Sequence, residues 1–105
     1  MKRGEVWWAD LPPPAGRRPV LLLSRDEAYA VRSQVTVAPI TTRVRNIPVE
    51  VRLGPSDGLS RDCVVNLDTI TTVPVSWLRD PVAMLSAEKL DAVDAAIRFA
   101  LGLRP

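Results

Sequence analysis

The side chains in this chain best suited to chemistry are guanidinium groups and hydroxyls, and they fall in two clusters. In "AGRRPVLLLSRD", residues 15–26, Arg17 and Arg18 stand directly before Pro19 and a run of four aliphatic residues. In "VAPITTRVR", residues 37–45, Thr41 and Thr42 run straight into Arg43 and Arg45. A charge beside a buried strand costs free energy unless it is paired, solvated or used. A guanidinium offers a planar fork that matches a phosphate. A hydroxyl can donate to an oxygen that gains negative charge during reaction. Arg18 precedes a proline, whose ring biases it to extended backbone, so its side chain can be preorganised for a phosphate. Arg17 lies on the loop side and reads as a substrate-binding or solvated charge. Arg18 and Thr41 meet if their strands are antiparallel neighbours, and sequential strands often are neighbours.

What is missing narrows the chemistry further. The chain has no histidine, which excludes a Ser-His-Asp triad, a paired-histidine nuclease site and every histidine metal ligand. Acid–base work is left to carboxylates, Tyr29, lysine, arginine or the substrate itself. The single cysteine, Cys63, excludes an internal disulfide and a cysteine-based zinc site, and it reads as a small buried apolar residue. There is no glycine-rich phosphate loop, no EF-hand loop and no carboxylate cluster suited to a metal, so no cofactor is expected. Net charge is only +2, yet it is unevenly spread. Residues 1–52 hold nine Lys/Arg against five Asp/Glu, and residues 53–105 hold five against seven. Arginine outnumbers lysine twelve to two, a bias that suits phosphate recognition.

At 105 residues the chain is expected to form one domain around a single core. No apolar run approaches the roughly 20 residues of a membrane span. No signal peptide is evident behind the amino-terminal basic residues, so a cytoplasmic location is expected.

Several short strands must position the two clusters. "GEVWWADL" (4–11) suits a strand, with Trp7 and Trp8 on opposite faces. Either could stack on a base, but packing in a core or dimer is the commoner fate. "LPPPAG" (11–16) reads as a stiff extended loop, because consecutive prolines remove amide donors and fix φ. "PVLLLS" (19–24) reads as a strand buried on both faces. "RDEAYAVRS" (25–33) accommodates a short helix, and "QVTVAPI" (34–40) a strand. "PVEVRL" (48–53) alternates, with Val49, Val51 and Leu53 on one face and Glu50 and Arg52 on the other. After the turn-rich "GPSDGLSRD" (54–62), "CVVNLDTITTV" (63–73) reads as one long strand in which Asp68 is a polar core group. Trp77 reads as a plug under a loop. Short strands spaced by turns predict a small curved or barrel-like sheet. The carboxyl end predicts a helix, with Ser86 as N-cap, Glu88 in the first turn, a Leu85/Leu90 staple and Gly102 as the stop. Its apolar stripe is Leu90, Val93, Ile97, Ala100 and Leu101.

The ordered pieces "KRGEVWWADLPPP", "RRPVLLLSRD", "VTVAPITT", "PVEVRL", "RDCVVNLDTITTV" and "LSAEKLDAVDAAIRFALGL" resemble the MazF/PemK family of toxin endoribonucleases over nearly the whole chain. The resemblance implies a mainly β fold with a C-terminal α-helix, a small SH3-like β-barrel of the PemK/CcdB kind, and usually a homodimer. It implies metal-independent cleavage of single-stranded RNA at short sequences, and neutralisation by a cognate MazE-like antitoxin. The family's catalytic arginine in "RPV" falls on Arg18, and its threonine after "API" falls on Thr41. Attack by the ribose 2′-hydroxyl would leave a 2′,3′-cyclic phosphate and a 5′-hydroxyl. Arg17, Thr42, Arg43 and Arg45 are then expected to bind RNA. Two departures stand out. The loop before the arginine is the short "PPPAG" where many relatives carry a longer RNA-binding stretch, and the common "DQIRT" reads "DTITT" at 68–72. The cleavage sequence is therefore not carried over. Two other readings use the same barrel: a non-enzymatic CcdB-like gyrase poison, and a catalytically inactive SH3-like module binding RNA or peptide.

Overall fold

A computed structural model describes residues 1–104. The strands are β1 (Glu5–Asp10), β2 (Arg17–Leu22), β3 (Gln34–Thr41), β4 (Glu50–Leu53), β5 (Cys63–Asn66), β6 (Thr71–Pro74) and β7 (Leu78–Met84). The helices are a single turn, α1 (Ala28–Val31), and the terminal α2 (Ala87–Leu101). The sheet runs β4-β5-β3-β2-β1-β7, every pairing antiparallel, and β6 pairs with β3 off this path. It curls around the core without closing, so the barrel-like expectation holds in its broad form. Among the described residues no helix is long and apolar enough to cross a membrane.

β2 is an interior strand, and its sequence explains why. Val20, Leu21 and Leu22 are all fully buried, each contributing about 1.5–3 kcal/mol of apolar burial. Their alternation divides them between two cores. Leu21 joins Val6, Ala38, Ile40, Val65 and Val93 beneath α2. Val20 and Leu22 join Ala9, Val35, Val37 and Val73 on the opposite face, with Trp7 and Trp77 packed at its margin. The β4 alternation is also as expected: Val49, Val51 and Leu53 are buried while Arg52 is exposed.

Several expectations need correction. Residues 63–73 are not one strand. β5 ends at Asn66, whose side-chain oxygen accepts from the Asp68 amide at 2.9 Å, and a 3-10 turn spans Leu67–Thr69. The break lets β5 pair with β4 and the end of β3, while β6 pairs with the beginning of β3. Asp68 is accordingly exposed rather than a polar core group. Residues 11–16 form a compact turn, with the Ala15 amide donating to Pro12 O and the Leu11 amide to Gly16 O. β7 was not anticipated, since its charges and Pro81 disguise a strand at the sheet's end. Proline is tolerated there, because an outer edge needs no amide donor, and Trp7 pairs with Pro81 beside a register shift.

The terminal helix forms as its caps dictate. Ser86 Oγ accepts from the Lys89 amide at 3.2 Å, and Gly102 ends the helix at φ 65°. Leu85 is buried and Leu90 packs against the same core. Val93 and Ala96 form the buried stripe, whereas Leu101, assigned inward from sequence, is 60% exposed. α2 is tied to the sheet by Arg3, which donates to Asp94 at 2.7 Å and to Leu23 O at 3.1 Å.

Candidate active site

β2 and β3 bring the two sequence clusters together. Their register pairs Val20 with Pro39 and Leu21 with Ala38. Continued outward, it sets Arg18 opposite Thr41. Both side chains leave the same face of the sheet, because residues directly opposite in an antiparallel pair share a face. Neither position is loose. Pro19 keeps Arg18 extended within β2, and Ile40, buried next to Thr41, is locked into the core.

Arg18 is half-buried and its Nε donates to Ala15 O at 3.3 Å. The compact 11–16 turn thus holds the guanidinium from one side, and no carboxylate pairs with it among the described residues. Thr41 Oγ1 accepts from the Arg43 amide at 3.2 Å. That bond orients the hydroxyl and leaves its own O–H free to donate.

Arg18 and Thr41 form the wall between two adjoining depressions. One, about 290 Å³, is lined by Trp8, Arg17, Arg18, Pro19, Ile40, Thr41, Thr42, Leu59, Ser60, Arg61 and Cys63. The other, about 200 Å³, adds Arg43, Arg45, Glu50, Asn66 and Thr69. All six site residues picked out from sequence therefore line one groove. The larger depression carries three guanidiniums and no carboxylate, an arrangement that focuses positive potential where a phosphate would lie. In the smaller one, Glu50 accepts from the Arg45 and Asn46 amides, both at 2.9 Å. Its carboxylate shapes the basic 43–46 loop. Past Trp8 and Leu59 the groove continues into a third depression of about 390 Å³, bounded by Pro55, Gly58 and Val82.

The two neighbouring arginines differ as their positions suggested. Arg17 is exposed, lies 3.8 Å from Asp10 and 3.4 Å from Asp80, and places its guanidinium carbon 5.3 Å from the Trp8 ring centre. Surface pairs of this kind contribute only about 0–1 kcal/mol and give way easily. The tryptophans divide as well, Trp7 packing into the second core and Trp8 lining the groove.

Two titratable groups are held by burial, Tyr29 away from the groove and Cys63 beneath it. Tyr29 packs against the second core, donates to Ser24 O at 3.0 Å, and has its pKa pushed up to about 12, burial being the largest cause. Cys63 lies at the base of the groove, but burial, reinforced by Asp57 and Asp62, raises its thiol pKa. Among the described residues no group of three or more His, Cys, Asp or Glu is placed to hold a metal. Sequence reasoning missed Leu59, Ser60 and Arg61, which reach the groove only because the β4–β5 loop folds back over it.

Comparison with known proteins gives the family. Residues 2–101 match the family described as PemK-like, MazF-like toxin of type II toxin–antitoxin system. The chain belongs to that family. It is similar to the probable endoribonuclease MazF5 of Mycobacterium tuberculosis, 40% identical over 100 residues that cover 94% of this chain and 91% of the relative. Among solved structures it is similar to the Mycobacterium tuberculosis toxin MazF-mt6, at TM-score 0.89 and 36% identity, covering 96% of this chain and 99% of that one. It is equally similar in fold to a mycobacterial endoribonuclease in complex with its cognate antitoxin, at TM-score 0.89 and 31% identity, covering 100% and 98% of the two chains.

Proposed function

We propose that this chain is the toxin of a type II toxin–antitoxin pair and cuts single-stranded RNA by transphosphorylation at Arg18 and Thr41. The observation that carries the reading is the placement of those two residues opposite each other, on the wall shared by two basic depressions. Endoribonuclease toxin is the class that the family and the named relatives support. A CcdB-like gyrase poison would not need this Arg/Thr wall.

RNA supplies its own nucleophile. The ribose 2′-hydroxyl attacks the adjacent phosphorus, the bond to the 5′ oxygen breaks, and a 2′,3′-cyclic phosphate and a 5′-hydroxyl remain. The protein has to align the strand and stabilise the dianionic phosphorane. Arg18, its Nε engaged by the Ala15 carbonyl, presents its terminal nitrogens to the non-bridging oxygens. Thr41, its Oγ1 fixed by the Arg43 amide, donates a further hydrogen bond. Arginine stays protonated at any working pH, so its role is electrostatic and not that of a base. Arg17, Thr42, Arg43 and Arg45 hold the strand on either side. No metal takes part in this scheme.

The groove also suits a neutralising partner. Its basic stretch at Arg43 and Arg45 and its apolar stretch at Leu59 and Val82 are continuous. A cognate MazE-like antitoxin segment carrying acidic and apolar residues would cover Arg18 by lying along it. The working unit is a homodimer in the cytoplasm. The test is product chemistry: purified protein and a long single-stranded RNA in EDTA should yield 2′,3′-cyclic phosphate and 5′-hydroxyl ends. Ends bearing 3′-hydroxyl and 5′-phosphate, or no cutting, would overturn the reading.

A further inference from the structure

We propose that Arg61, on the β4–β5 loop, is a second phosphate-binding residue that holds the RNA backbone next to the cleaved linkage. The inference rests on the RNA-cleaving reading of the groove.

Three guanidiniums line the larger depression, Arg17, Arg18 and Arg61. Arg17 is engaged by Asp10 and Asp80, whereas Arg18 and Arg61 have no ion-pair partner among the described residues. The carboxylate adjacent in sequence, Asp62, is turned against Gly54, where a Cβ would stand 2.8 Å from its Oδ1. Arg61 is therefore an uncompensated cation facing a groove built for a polyanion.

The loop that carries it is held firmly. The Gly54 amide donates to Asp57 Oδ2 at 3.0 Å and the Asp57 amide returns to Gly54 O at 2.9 Å. The Leu59 amide donates to Gly54 O at 3.3 Å, and Gly58 makes the turn at φ 92°. Leu59 and Cys63, on either side of Ser60–Asp62, are buried at 7% and 4% exposure. Lys89 Nζ, 3.9 Å from Asp57, ties the loop to α2. A charge on such a mount loses little freedom when it meets a phosphate. Arg18 then serves the reacting phosphate and Arg61 a neighbouring one, positioning the strand without touching the reacting atoms.

The salt dependence of binding counts such contacts, because each neutralised phosphate of a single strand contributes about 0.7 to the slope of log K against log salt. The probe is a mixed-sequence 2′-O-methyl RNA, which lacks the attacking hydroxyl, titrated by fluorescence anisotropy at several salt concentrations. Arg61→Ala should flatten the slope by about 0.7 and raise KM for cleavage of single-stranded RNA, with kcat within about twofold of wild type. Arg61→Lys should keep the wild-type slope, and Arg32→Ala, on the exposed end of α1, should change nothing. An unchanged slope in Arg61→Ala, or an equal loss in Arg61→Lys, overturns the proposal while the wild-type protein still cuts RNA. Wild-type protein that neither binds the probe nor cuts RNA overturns the ribonuclease reading and this proposal with it.

Discussion

Arg18 and Thr41 lie 23 residues apart in sequence and line the same two depressions just beyond the end of the β2–β3 ladder, where its register, continued by two residues, sets them opposite each other. The pairing of Val20 with Pro39 sets that placement, and each residue is held by a local backbone group, Ala15 O for the guanidinium and the Arg43 amide for the hydroxyl. The spacing of the two side chains is thus controlled by strand register, the stiffest element of the fold, and their orientation by the two flanking loops. A one-residue slip would turn one of the side chains to the other face.

The shape of Arg18 should matter as well as its charge. Arg18→Lys keeps the cation but loses the planar fork and the Nε contact to Ala15. Cleavage of single-stranded RNA should fall about tenfold or more, with near-ultraviolet circular dichroism unchanged. Full activity in the lysine variant would show that a point charge suffices.

Tyr29 is the only tyrosine, so phenolate absorbance reads it directly. In the folded protein its midpoint should lie near 12, against the ordinary tyrosine value of 10.0 recovered in denaturant. The folded state holds the proton more tightly, so this contribution to stability is complete below pH ~10 and is lost as pH rises toward ~12. Tyr29→Phe should remove this part of the alkaline dependence and leave the part that the buried Cys63 thiol contributes. A titration near 10 in native buffer would contradict the burial described above.

Gly58 turns the loop that carries Leu59, Ser60 and Arg61. Its φ is +92°, and an added Cβ would stand 2.8 Å from the Cβ of Ala83. Gly58→Ala should cost about 1–3 kcal/mol in thermal or urea unfolding and raise KM for RNA by displacing the loop. Unchanged stability would mean that the turn relaxes freely.

Much of this architecture can be read from the chain. β2, β3 and β4 announce themselves by aliphatic runs and alternation, and α2 by Ser86, Leu85, Leu90 and Gly102, because those signals are local. The break at Asn66 escapes such reading. Leu67 continues the alternation of Cys63 and Val65, while the event that stops the strand is a single side-chain bond from Asn66 to the Asp68 amide. β7 is disguised by Arg79, Asp80 and Pro81, residues that an edge strand accepts and a central one rejects. Arg18 and Thr41 were legible because neighbouring strands place them. Arg61 was not, since its presence in the groove depends on how a loop folds over strands distant in sequence.

The capping role of Asn66 has its own check. Asn66→Ala should cost about 1 kcal/mol in urea unfolding, whereas Asn66→Asp, which keeps an acceptor for the Asp68 amide, should lose much less. Equal losses in both variants would assign the effect to packing.

The most direct measurement compares rates of RNA cleavage in EDTA by wild-type protein, Arg18→Ala and Thr41→Ala, each shown to be folded by circular dichroism. Wild-type protein should cut and leave 2′,3′-cyclic phosphate ends, and each variant should lose about tenfold or more in rate. Wild-type rates in both variants would contradict the site at Arg18 and Thr41.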